Sequence, residues 1–254
     1  MKEKKVIWIS GASTGIGKAS ALKFIENEWQ VAASARNLDN LKVLKKEAED
    51  KYGFGNIDIY VCDTRDKNEV EKTVVKIEKK FGHIDIAMLN AGTASPYSDE
   101  FNLDYYNHVV TTNILGNLNC INSVHKRFKN RKKGHIAIVS SMTGYRGLPT
   151  ASAYTLTKAA LINLSESLFF DLKKFGVKVS VINPGFIKTP LTDKNTFPMP
   201  FLKTKEYAAK KIYDGLMKNK FEIIFPLQWT IIMKIFRLLP YNLYFYLVSK
   251  YTGL

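Results

Sequence analysis

Tyr154 and Lys158 stand four residues apart in "ASAYTLTKAAL", a run of small and aliphatic residues that should be helical. That spacing puts both side chains on one helix face. A phenol with its ordinary pKa of about 10 is a poor proton donor or acceptor at neutral pH, and a cation held beside it stabilises the phenolate. The same pair could equally be a packed ring under a snorkelling lysine. The pair alone leaves both readings open.

A second chemical feature lies near the start. "SGASTGIG", residues 10–17, follows a short apolar run and leads into a helix-length segment. Glycines in such a turn allow unusual backbone angles and close approach of main chain to a ligand, and the helix start offers free N–H groups to a pyrophosphate. Gly11, Ser13, Thr14, Gly15, Ile16 and Gly17 are therefore candidate dinucleotide contacts. The next β-rich run ends "VAASARN", with Ala35 where an NAD enzyme would place an acid for the ribose 2′-hydroxyl. Arg36, supported by Ser34 or Asn37, suits a 2′-phosphate instead, which predicts NADP(H) over NAD(H). Asp39 reads as a helix cap, not a ribose ligand.

Positioning these residues falls to an alternating chain. Apolar runs such as "KVIWIS", "QVAASA", "IDIYVCD", "IDIAMLNAG", "GHIAIVSS" and "VKVSVINPG" are separated by amphipathic segments of helix length, and residues 221–225 offer a seventh run. The pattern predicts a Rossmann-type, doubly wound parallel sheet of about seven strands flanked by helices in one domain, 1–254. The 254 residues, 46% hydrophobic and 24% charged, suit a folded globular chain with a large core. Two cysteines without metal spacing, and no apolar stretch of signal-peptide length at the start, predict a reducing, cytoplasmic setting. The four histidines show no ligand spacing, so no metal site is expected. The net charge of +15 is mostly interleaved with acids on helix faces, and its densest run is "HKRFKNRKKGH". Without aromatic and basic residues interleaved to stack bases, a solvated cationic surface is expected and no nucleic-acid partner.

Taken in order, these stretches resemble the short-chain dehydrogenase/reductase family over about residues 4 to 190. "SGASTGIG" is followed by Asp63 in "CD", by "NAG" at residues 90–92, by Asn113, by Ser141 in "VSSMTG", by "YTLTK", and by "NPGFIKT" ending at Thr189. Ser141 precedes Tyr154 by thirteen residues, as the family pattern asks. Ser10 replaces the usual threonine, and Leu89 the first asparagine of a fuller "NNAG". The resemblance implies that Tyr154 exchanges a proton with a substrate carbonyl or alcohol and that Ser141 hydrogen-bonds the same oxygen. It implies that Lys158 also binds the nicotinamide ribose and that Asn113 holds a water of a proton relay. It further implies cofactor contacts from Asp63, Thr64, Asn90, Ala91, Gly92, Pro184, Gly185, Ile187 and Thr189, and pairing into homodimers or homotetramers.

The chain after about residue 190 follows no general family pattern. "PLTDKNTFPMPFL" has the look of a lid with an apolar underside. With residues 94–97 and 142–146 it should form the substrate mouth, so Met142, Tyr145, Phe186, Phe197 and Met199 are expected to line a pocket for an apolar carbonyl or alcohol: lipid, acyl, steroid-like or aromatic. Trp229, Ile232, Met233 and Phe236 then follow the spacing of an amphipathic helix in an apolar C-terminal extension. That tail could close the pocket, pack on a second subunit, or lie on a membrane surface. The competing readings of function are a dinucleotide-binding regulator without turnover and a peripheral membrane-associated lipid reductase.

Overall fold

In the computed structural model, residues 4–94, 101–195 and 198–252 are described. Seven strands, β1 (Val6–Ser10), β2 (Gln30–Ala35), β3 (Ile57–Val61), β4 (Ile86–Leu89), β5 (Gly134–Val139), β6 (Val177–Pro184) and β7 (Glu222–Phe225), form one sheet in the order β3-β2-β1-β4-β5-β6-β7. Every neighbouring pair is parallel. The expected Rossmann-type sheet is therefore present, and residues 221–225 do supply its seventh strand. β1, β4 and β5 are buried along their whole length, which is why they read as continuous apolar runs without alternation.

Helices α1 (Gly15–Glu26), α2 (Leu38–Tyr52) and α7 (Lys205–Met217) bury one core with Phe24, Leu41, Leu44 and Ile212. Helices α3 (Lys67–Phe81), α5 (Gly116–Arg131) and α6 (Ser152–Lys173) bury the other with Trp8, Ile77, Val124, Phe128 and Leu161. Asn37 caps α2, accepting from the Asn40 amide at 2.8 Å, and Asp66 caps α3. The cap expected of Asp39 thus belongs to Asn37, and Asp39 sits in the first turn, facing the helix's positive end.

The helical stretch between β4 and β5 is not one regular α-helix. α4 (Leu103–Val110) passes into a π turn, Thr111–Leu115, before α5 resumes. The wider turn carries Asn113, fully buried, toward the end of β4. π turns inside helices often mark functional positions, and their single extra residue leaves little trace in an apolar pattern.

The tail folds as two short helices, α8 (Leu227–Leu238) and α9 (Tyr241–Thr252). Met233 is fully buried with Met142, Tyr145, Ile162 and Val181 in a third cluster, and Trp229 and Phe236 pack against it. The basic run over the last turns of α5 and the residues beyond it is partly neutralised: Arg127 bonds Glu71 and Glu78 of α3 at 2.7 and 2.9 Å, and Arg131 reaches Glu78 at 3.4 Å.

Candidate active site

Strand order reverses between β1 and β4, and at such a switch point the carboxyl ends of parallel strands open into a crevice. A cleft of about 680 Å³ lies there. Gly11 and Gly15 both adopt positive φ, +65° and +55°, at its floor. A Cβ at Gly17 would stand 2.3 Å from the Gly11 carbonyl oxygen and 2.6 Å from Asn90 Nδ2, so only glycine packs at this position in the first turn of α1. The turn is fastened to the end of β4 by Ser10, whose hydroxyl accepts from the amides of Asn90 and Ala91 at 3.0 and 3.2 Å. Asn90 Nδ2 donates back to the carbonyls of Ser10 and Gly11.

α1 begins without a side-chain cap and without an acid in its first turn. Its leading N–H groups are therefore free to meet an anion. Ser13, Thr14, Gly15 and Ile16 line the cleft beside them. At the end of β2, Ala35, Arg36 and Asn37 form the next stretch of wall. Arg36 is exposed and makes no hydrogen bond to protein among the described residues. Ser34 departs from expectation: it is buried, and its hydroxyl accepts from Trp8 Nε1 at 2.9 Å. Alternation along the strand turns it into the sheet, away from any 2′-phosphate. Asp63 lines the cleft, but its carboxylate is gripped by Arg65 at 2.6 to 3.0 Å, which holds its pKa below the usual range.

The opposite end of the cleft is formed by Ser141, Tyr154, Lys158, Pro184, Gly185, Ile187 and Thr189. Ser141 closes β5 and accepts from the amide and hydroxyl of Thr143 at 3.2 and 3.0 Å. Tyr154 and Lys158 share a face of α6, with Nζ 5.4 Å from the phenol ring centroid. Lys158 donates to the Val139 carbonyl at 3.0 Å. Burial pushes the Lys158 ammonium down to about 8 and the Tyr154 phenol up to about 12, the Ser141 hydroxyl alone pulling the phenol the other way. The lowering of the phenol by Lys158 that the sequence suggested is therefore not seen here, where burial dominates both groups.

Asn113, which the resemblance places in a proton relay through a held water, has both polar side-chain atoms bonded to protein. Its Oδ1 accepts from the Thr93 amide at 2.7 Å, and its Nδ2 donates to the Thr93 carbonyl and to Thr157 Oγ1, both at 3.0 Å. The side chain is fully engaged in fastening the strand end at residue 93 to α6. Gly92 lies between them: a Cβ there would come 3.3 Å from Asn113 Oδ1 and 3.6 Å from Lys158 Nζ.

Of the expected substrate contacts, Met142 and Tyr145 do not line the cleft. Met142 is fully buried under α8, and the Tyr145 hydroxyl donates to Glu222 and accepts from Asn183 Nδ2 at 3.0 Å. The turn after Ser141 is rolled against the tail because Met233 fills the space beneath it. Phe186 stacks 5.9 Å from Trp229, and Met199 accepts from Asn195 Nδ2 at 3.4 Å. Phe197 and residues 95–97 lie outside the described residues. Trp229, on the amphipathic tail helix that could close the pocket, reaches the wall of the cleft. A Cβ on Gly185 would touch its ring carbon at 2.9 Å. Thr112 and residues 190–192 also line it, and Thr192 Oγ1 ties down the Ile187 and Thr189 carbonyls at 2.7 and 3.0 Å. The "TPLT" repeat of threonines was the signal for that clamp.

Comparison with known proteins fits this geometry. The family model described as short chain dehydrogenase matches residues 5–198. The chain belongs to the short chain dehydrogenase family. It is an oxidoreductase of the class acting on alcohol and carbonyl groups. An uncharacterized oxidoreductase of Myxococcus xanthus is 30% identical over 237 residues, covering 93% of each chain. The 3-oxoacyl-(acyl-carrier-protein) reductase of Thermotoga maritima is 34% identical over 194 residues, 76% of this chain and 78% of that one. Among solved structures, ElxO with NADP bound superposes with a TM-score of 0.77 at 30% identity, covering 87% of this chain and 97% of the other.

A short chain dehydrogenase needs a dinucleotide, and this cleft fits one. The uncapped start of α1, the exposed Arg36, and the buried Thr112 Oγ1, which has no partner although it borders the cleft, are donors waiting for a polar ligand. Ser13 to Ile16 and the α1 amides would hold the pyrophosphate, and Arg36 and Asn37 the adenosine end. Lys158 and residues 184–189 would hold the nicotinamide end. Bound there, the nicotinamide supplies or accepts a hydride. Tyr154 and Ser141 line the cleft at that same end.

Proposed function

We propose that the protein is an NADP(H)-dependent reductase of apolar ketones or aldehydes, with Tyr154 as general acid. The observation that carries this reading is the two-ended cleft. A free guanidinium, Arg36, with no carboxylate at the end of β2, stands at one end, and Ser141, Tyr154 and Lys158 converge at the other. Arg36 matches the extra phosphate of NADP(H) as a fork of donors matches an oxyanion. ElxO, in its NADP complex, and the acyl-carrier-protein reductase of Thermotoga maritima support the same cofactor and a carbonyl on an apolar chain. Phe186, Trp229 and Phe201, tilted against one another at 5.9 and 6.5 Å, give the mouth an aromatic side. Exposed Leu118 on α5 and Leu156 and Phe170 on α6 support the subunit pairing that the resemblance implies.

Oxidation of NADPH against ketones of graded chain length, with NADH in parallel, tests the reading. Turnover should rise with apolar chain length and favour NADPH. Arg36→Ala should cost about tenfold to a hundredfold in NADPH affinity, the worth of one charge-assisted contact, and leave NADH unchanged. Preference for short polar substrates would refute the apolar mouth, and equal losses with both cofactors would refute the role of Arg36.

A further inference from the structure

One face of the tail is left uncovered. Along α8, Leu227, Ile231, Ile235 and Leu238 recur at i, i+4, i+8 and i+11, with Leu227 67% and Leu238 84% exposed. Tyr241, Phe245, Tyr246 and Tyr251 extend the exposed apolar surface over α9. The other side of the same helices is packed, through Thr230, Met233, Tyr244 and Val248. A helix apolar on every side is ordinarily covered, and a contiguous patch differs from scattered exposed leucines.

Charge indicates what covers it. Residues 223–252 contain Lys234, Arg237 and Lys250 and no aspartate or glutamate. Lys234 meets Glu222 at 2.6 Å, the Arg237 guanidinium lies 5.8 Å from the Tyr145 ring, and Lys250 has no ion pair among the described residues. A second copy docked by a two-fold axis would gather these cations from both chains around one apolar patch, with no carboxylate in either tail to answer them.

We propose that this face docks on the surface of an anionic phospholipid bilayer, with α8 and α9 lying in the interface. Each helix has 12 residues, about 18 Å at 1.5 Å per residue, too short to cross a hydrocarbon core of about 30 Å. No helix among the described residues is long and apolar enough to span. Tyrosines with an apolar body and a polar tip settle at the headgroup level, and cations beside them meet lipid phosphates. Exposed Phe201 lies 6.5 Å from Trp229 of α8, and exposed Leu191 lines the cleft. A docked molecule would turn the mouth toward the lipid, where an apolar carbonyl substrate resides. That last consequence rests on the reductase reading; the docking does not, because it is measured without turnover.

The test is flotation of the full chain with vesicles of phosphatidylcholine alone and of an equimolar mixture with phosphatidylglycerol, at low and high salt. The protein should float with the anionic vesicles, at least about tenfold less with the zwitterionic ones, and less as salt rises. Leu238→Glu with Tyr246→Glu should abolish flotation while NADPH affinity and melting temperature stay at wild-type values. Lys250→Glu, a reversal at an exposed position that packing does not depend on, should weaken it. A wild-type chain that stays with the dense fraction overturns the proposal. So does unchanged flotation of the double variant, which would put the contact elsewhere. If the wild type does not float and the double variant dissociates an oligomer in sedimentation, a second copy covers the face. If the wild type instead captures only an acidic protein, the partner is proteinaceous and the lipid assignment fails.

Discussion

The cofactor cleft and the tail wall meet at Gly185 and Trp229, yet they are built on opposite principles. The cleft gathers buried polar groups, positive-φ glycines and a lysine pushed down to about 8, arrangements that cost stability and are held by the sheet around them. The tail is held by apolar packing around Met233 with ion pairs only at its rim. In the proposed function the reacting groups sit where burial is locally unfavourable, and the tail adds stability next to them. Substitutions in the two regions should therefore separate activity from stability.

The largest separation is expected for Tyr154→Phe. Removing one hydroxyl from a half-buried ring should lower turnover about a hundredfold to ten-thousandfold, the usual worth of a positioned general acid. NADPH affinity and the melting temperature should hardly move. Steady-state kinetics with fluorescence titration of NADPH checks this, and a Phe variant with wild-type turnover removes Tyr154 from the chemistry.

Met233→Ala should do the reverse. The side chain projects from α8 and is fully buried against the turn after Ser141, and truncating a buried methionine costs about 2 to 5 kcal/mol. Urea denaturation should show that loss, with NADPH affinity intact. If NADPH affinity falls as far as stability does, the two regions are one cooperative unit and the contrast between them fails.

These contrasts also explain what could be read in advance. Strand order and the cofactor turn were legible because their signals are local: apolar runs of strand length, glycines at a strand-to-helix junction, Tyr154 and Lys158 at helical spacing. Ser34, Met142 and Tyr145 have residue types that suit a ligand, yet their side chains pack inward. The sequence carries the residue type but not which side of a strand or turn meets the cleft, and Trp8 and Met233, both distant in sequence, decide that. Trp229 was legible as part of an amphipathic helix, but the spacing alone left open whether that helix packs on the pocket, a second subunit or a membrane. The π turn at Asn113 was hidden by a helical pattern that one extra residue barely disturbs.

Lys158 gives a smaller test with a definite sign. Its folded pKa is depressed from 10.5 to about 8, so between these values the unfolded chain binds the extra proton. Stability gained from this group therefore rises with pH through that window, by on the order of 3 kcal/mol if the whole shift is realised, and is flat below about pH 8. Tyr154 acts oppositely. Its folded pKa is raised from 10.0 to about 12, so its contribution falls as pH climbs through that range. Comparing wild type with Lys158→Met by urea denaturation at pH 7 and pH 10 isolates the lysine. The wild type should gain relative to the variant at the higher pH, and a constant difference would mean that Lys158 stays charged when buried.

The smallest effect should belong to Lys234→Gln, at the rim of the tail. Its ammonium lies 2.6 Å from Glu222, whose other oxygen receives the Tyr145 hydroxyl, and through Tyr145 the pair touches the turn that carries Ser141. Both charges remain in contact with solvent, with the lysine side chain 48% exposed, so the ion pair itself should be worth less than about 1 kcal/mol. Glu222 keeps its bond from Tyr145 when Lys234 is neutralised, so the turn should not shift and turnover should stay within about twofold. Kinetics and urea denaturation of this one variant bound how far the tail's polar rim reaches the cleft. A tenfold loss of turnover at unchanged stability would make Lys234 a positioning residue for Ser141 and join the two regions through charge as well as packing.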